Sequence, residues 1–100
     1  MDKILNYLGI ARRSRHLVWG TDTTIRELQS NKLYLIILAS DASLATKDKI
    51  IKKAYFYNVP VIEKFNVNEI CSATGLKHAV MVGIDDLGLA NAILEVNKNS

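Results

Sequence analysis

One hundred residues, 49% of them hydrophobic, suffice for one compact core and fall short of two cores, so a single domain over residues 1–100 is expected. One cysteine and two histidines, Cys71, His16 and His78, exclude an internal disulfide and a structural zinc site, and neither metal nor cofactor is expected. The net charge is only +3, but the cations cluster: Lys3, Arg12, Arg13, Arg15 and Arg26 oppose Asp2 and Asp22 in residues 1–26, and Lys32, Lys47, Lys49, Lys52 and Lys53 oppose Asp41 and Asp48 in residues 32–53. A basic half of this kind suits a polyanion and equally suits an ordinary solvated surface, so position has to decide. No apolar run approaches membrane-spanning length, and Asn6, Arg12 and Arg13 interrupt the start of the chain before a signal-peptide core forms. A reducing cytoplasm is the expected compartment.

In chain order, Ile4, Leu5, Leu8 and Ala11 recur at helical spacing, which predicts a helix over residues 2–13; Gly9 within it suits a close approach to a neighbour. Leu17, Val18 and Trp19, ended by Gly20, predict a brief strand. Thr21 or Asp22 then caps a second helix with Ile25 and Leu28 inward, running to about Asn31. Residues 33–39, from Leu33 to Ala39, form a continuous apolar run of strand length, the pattern of a strand covered on both faces. Ser40 to Ser43 supply caps for a third helix with Ala45, Ile50, Ile51, Ala54 and Tyr55 on one side and lysines on the other. Residues 58–62 predict a short strand that Pro60 places at an edge or a strand start. Asn66 and Glu69 have the spacing of a capping box for a fourth helix, which Gly75 closes. Ala79 to Ile84 predict a second buried strand, and Asp85 and Asp86 open a last helix with Leu87, Ala90, Ile93 and Leu94 inward. Five helices alternating with four short strands predict an α/β fold, a three-layer α/β/α sandwich around a four-stranded mixed sheet.

Enzyme signatures are absent: the chain has no phosphate-binding glycine loop, dinucleotide fingerprint, nucleophile elbow or paired metal-binding histidines. Cys71 between Ile70 and Ala73 reads first as an inert helix thiol and second as a nucleophile. Asp41, just after the central strand, reads first as a helix cap and second as a functional carboxylate. The better constellation is the strand-to-helix junction from Gly20 to Arg26. A helix start offers free backbone N–H groups and a positive dipole end to a phosphate, and Thr21 and Thr23 add hydroxyls. Asp22 and Arg26 are four apart and share a helix face. Spacing alone reads first as an ordinary i,i+4 salt bridge beneath a cap and second as base recognition, in which arginine suits the O6 and N7 acceptors of guanine and a carboxylate accepts from an exocyclic amine. A second candidate is the loop from Thr74 to His78, between the fourth helix and the last strand, whose Leu76, Lys77 and His78 form a mixture that supports unstacked bases beside phosphates.

Taken in order, the stretches Leu8 to Val18, Gly20 with Asp22, Leu35 to Ser43 and Tyr57 to Pro60 resemble the bacterial YlxQ-type branch of the ribosomal L-seven-Ae superfamily of kink-turn RNA binders, and the resemblance extends through Gly75 and residues 85–88. It implies an α/β/α sandwich that docks its strand-to-helix junction against the sheared G·A pairs of a kink-turn, with a late loop on the bulged nucleotides. By position, Gly20, Thr21, Asp22, Thr23 and Arg26 match the superfamily's glycine, small, asparagine, glutamate and lysine positions. Leu76, Lys77 and His78 match its specificity loop, and Ser43 and Lys47 would lie beside the RNA backbone. Three positions depart from the pattern. Asp22 for asparagine loses a donor and adds a negative charge, Thr23 is too short for a glutamate's contact, and Arg26 for lysine changes reach and geometry.

Together these observations predict a non-catalytic, monomeric RNA-binding protein, ribosome- or translation-associated, whose partner is structured kink-turn RNA, ribosomal or in an mRNA leader. Arg12, Arg13 and Arg15 would add phosphate contacts, and neither a membrane nor a small-molecule substrate is expected. The alternative is a protein-interaction module that kept the fold and lost RNA recognition, motivated by Asp22 and Thr23. A small enzyme built on Asp41 or Cys71 is a third reading.

Overall fold

The apolar runs and amphipathic stretches fold, in a computed structural model describing residues 2–99, as α1 (Lys3–Arg13), β1 (Leu17–Trp19), α2 (Thr21–Gln29), β2 (Leu35–Leu38), α3 (Leu44–Phe56), β3 (Val61–Ile62), α4 (Val67–Thr74), β4 (Met81–Ile84) and α5 (Leu87–Lys98). The four strands lie in the order β1-β4-β2-β3. β4 is antiparallel to both β1 and β2, while β2 and β3 are parallel, so the sheet is mixed. Every residue of the two central strands is buried, as continuous apolar runs require. β3 begins directly after Pro60 and forms one edge, where a missing backbone donor does least harm.

Helices complete the sandwich: α1 lies against α4 and α5, and α2 lies against α3. The expected close approach at Gly9 is present, since a Cβ there would stand 2.9 Å from the Ala73 carbonyl oxygen on α4. Asn66 and Glu69 form the capping box that opens α4, and Gly75 ends that helix with φ 80°. Buried side chains from all layers join in a single core cluster that includes Ile4, Leu28, Ile36, Ile50, Met81 and Ile93.

Several expectations need correction. α2 is capped by neither Thr21 nor Asp22: Thr21 is already helical, and the N-cap is Gly20, which offers no side-chain acceptor. Asp41 does cap a helix, but a different one; its Oδ1 accepts from the Val67 N–H of α4 at 3.0 Å, while Ser43 caps α3. On α3 only Ile50 and Ala54 are buried, and Ala45, Ile51 and Tyr55 face solvent. A helix turns about 100° per residue, so an apolar stripe wider than the contact leaves its margin in water. Leu87, the first residue of α5, is likewise exposed, while Leu89, Ala90 and Ile93 carry the helix's contact with the core. Tyr34 is exposed, and the β2 ladder spans residues 35–38 within the longer predicted run.

Candidate functional site

Strand direction decides which segments meet. β1 and β2 both run toward the same end of the sheet, and β4, antiparallel to both and lying between them, starts there. Three backbone hydrogen bonds fasten that end: Gly20 N–H to the Met81 carbonyl at 3.4 Å, Ala39 N–H to the Val80 carbonyl at 2.8 Å, and Ser40 N–H to the Phe65 carbonyl at 2.8 Å. The start of α2 at Gly20, the segment from Ser40 to Lys47 and the loop from Leu76 to His78 are thereby gathered at that end of the sheet, while Arg26 lies further along, in the last turn of α2. Their separation in sequence conceals this.

At the junction, Gly20 has φ 88° and ψ 148°, a conformation that side-chain-bearing residues rarely adopt, and space beside it is open. With no side-chain cap, the first N–H groups of α2 remain available to an external acceptor at the positive end of the helix dipole. Asp22 and Arg26 are both exposed, and no ion pair joins them among the described residues. The salt-bridge reading is therefore not realised. Thr21 and Thr23 are half-buried, whereas Thr24 is fully buried with a hydroxyl that has no hydrogen-bond partner among the described residues.

On the second segment, the Ser43 hydroxyl accepts from Thr46 N–H and donates to Thr46 Oγ1, so its hydrogen-bonding capacity is largely spent on the cap. Lys47 donates to the Ser40 carbonyl at 2.6 Å and lies 2.9 Å from Glu63 Oε2. An ammonium has three protons, so one donor of Lys47 is left for a further acceptor. On the loop, Leu76 is half-buried against the core and Lys77 and His78 are exposed. Leu76 N–H donates to Thr74 Oγ1, which itself donates to the Ile70 carbonyl, and these bonds fix how the loop leaves α4.

The three arginines divide. Arg15, with φ 66°, lies at the opposite end of the sheet, next to the pair formed by His16 Nδ1 and Asp85 Oδ1 at 3.0 Å. Arg13 runs along Gly9 on the seam between α1 and α4. Arg12 is drawn over the indole of Trp19, 4.7 Å from the ring centroid, at the junction. Trp19, in sequence simply the last residue of a predicted strand, is exposed directly before Gly20. Its one sequence signal is that a large aromatic ends a short predicted strand next to a glycine. His16 and His78 stand at opposite ends of the sheet. Cys71 is half-buried against the core, and no group of three potential metal ligands occurs among the described residues. No helix among them is long and apolar enough to cross a membrane.

Comparison with known proteins agrees with this architecture. The model of the ribosomal protein L7Ae/L30e/S12e/Gadd45 family matches residues 2–93. Two similar proteins are each called RNA-binding protein YlxQ. The one from Enterococcus faecium is 35% identical over 94 residues, covering 94% of this chain and 90% of its own. The one from Bacillus subtilis (strain 168) is 32% identical over 89 residues, covering 89% of each. A solved structure of a Bacillus halodurans C protein, described as having unknown function, superposes with a TM-score of 0.94 at 31% identity over 98% of this chain and 99% of that one. The Giardia lamblia 15.5kD RNA binding protein shares the fold, with a TM-score of 0.84 at 17% identity over 97% of this chain and 83% of that one.

Proposed function

Because the chain belongs to the ribosomal protein L7Ae/L30e/S12e/Gadd45 family, we propose that it is a non-catalytic RNA-binding protein that recognises structured, kink-turn-like RNA. The observation that carries the reading is the convergence of an uncapped helix start with the exposed Lys77 and His78 at one end of the sheet, with the exposed Arg26, which has no ion pair among the described residues, further along the same helix. The open backbone at Gly20 admits a close approach by the nucleic acid, and the first N–H groups of α2 meet phosphate or base acceptors. Arg26 reaches guanine edges. Leu76 supports bulged nucleotides while Lys77 and His78 contact the backbone. Lys47 supplies its remaining donor, and Ser43 acts chiefly by holding the start of α3. The protein works as a cytoplasmic monomer associated with ribosomes or translation. That two relatives are called RNA-binding proteins supports RNA as the partner.

A protein-interaction use of the same fold is the second reading, favoured by the exposed Leu44, Ile51, Tyr55 and Phe56 on α3. Titrating a kink-turn RNA, and a control with its sheared G·A pairs replaced, at two salt concentrations separates the two. Motif recognition predicts tighter binding of the kink-turn, a loss of roughly 5- to 100-fold in Arg26→Ala as for a base-reading arginine, and weaker binding at higher salt. Equal binding of both RNAs reduces the site to a basic surface, and binding of neither favours the protein partner.

A further inference from the structure

Trp19 is the chain's one tryptophan and is 42% exposed immediately before Gly20. Side chains alternate along a strand, so Trp19 shares a sheet face with the buried Leu17, yet its ring is not drawn into the core. What holds it is Arg12, whose guanidinium lies 4.7 Å from the ring centroid. Arg12 Nε is buried without a hydrogen-bond partner among the described residues, so stacking on the indole is the contact that accounts for its position. A cleft of about 250 Å³ adjoins this end of β1, lined by Leu17, Val18, Trp19 and Thr23. That is smaller than the roughly 300–1,000 Å³ of pockets for drug-sized molecules and suits one planar ring. β1 is an edge strand, so no further strand closes the cleft.

We propose that Trp19 is a stacking platform for one unpaired nucleobase of the RNA bound at the junction, with Arg12 as the residue that positions the indole. The inference rests on the RNA-binding reading above and extends the site from the Gly20 junction onto the end of β1. A base is favoured over an apolar protein side chain because the ring is backed by a cation and adjoins the positive end of α2, where a base's attached phosphate is also accommodated.

The single tryptophan makes the test direct. A dye-labelled kink-turn RNA is titrated with the full chain while RNA anisotropy and Trp19 emission are recorded together, then again with unpaired nucleotides replaced one at a time by abasic sites. Stacking predicts that Trp19 emission is quenched along the same isotherm as the anisotropy and that one abasic substitution abolishes the quench. Trp19→Ala should weaken binding about 5- to 100-fold, as expected for one stacked base, with an unchanged salt slope. Trp19→Phe should keep most of the affinity, and Arg12→Ala should reduce the quench at saturating RNA. RNA binding with unaltered Trp19 emission and an unaffected Trp19→Ala variant would overturn the stacking role and leave the RNA-binding reading standing. No binding of any RNA would overturn both.

Discussion

Gly20 sets the shape of the junction through its backbone. With φ 88° and ψ 148° it leaves the end of β1 and becomes the N-cap of α2 without a capping side chain. A methyl group would meet no neighbour within 4 Å, so the penalty for Gly20→Ala is conformational, about 1–3 kcal/mol for a residue held in so sparsely populated a region. Thermal unfolding should show that loss, and RNA affinity measured well below the transition should fall as well, because the altered dihedral moves the first N–H groups of α2. An unchanged melting temperature and affinity would mean that the junction tolerates ordinary backbone. Gly20 is legible in sequence as a candidate site residue while the cap is expected at Thr21 or Asp22, since positive φ leaves no trace in residue type beyond glycine itself. The state of Arg26 was equally hidden. Spacing permits an i,i+4 pair with Asp22, and only the conformation of the side chains shows that the pair is not made.

Among the elements, local signals were legible and docking was not. The capping box of α4 lies within four consecutive residues and follows from their spacing, whereas the second acceptor at that helix start, Asp41, comes from 26 positions away. α3 illustrates the same limit. Its apolar stripe gave the helix, but which part of the stripe is buried depends on the angle at which the helix docks. Ile50 is fully buried and Tyr55 is 86% exposed, although both belong to the predicted stripe. Ile50→Ala should therefore lower stability by about 2–5 kcal/mol and Tyr55→Ala by no more than about 0.5 kcal/mol. Chemical denaturation of both variants checks this contrast, and comparable losses would contradict the assigned face.

At the scale of the whole molecule, the composition and alternation of elements made the α/β class legible, but the strand order is a property of long-range pairing. Placing β4 between β1 and β2 brings residues around 20, 40 and 78 to one end. The same topology sorts the cations, sending Arg15 to the far end beside His16 and Asp85 while Arg12 turns toward Trp19. A cluster of arginines in sequence thus becomes three separate environments. Lys47 is similarly redirected, with Glu63 and the Ser40 carbonyl as its partners. The late loop was visible as a mixture of residue types, and its neighbours were not.

The most direct test of the central claim is a backbone amide chemical-shift titration of the isotope-labelled protein with kink-turn RNA. The account predicts that perturbations concentrate at Gly20 to Arg26, Ser40 to Lys47 and Leu76 to His78, together with the side-chain indole N–H of Trp19, and spare Arg15, His16 and Asp85. Perturbations centred on the outer face of α3 or on the His16 end, or none at saturating RNA, would contradict it.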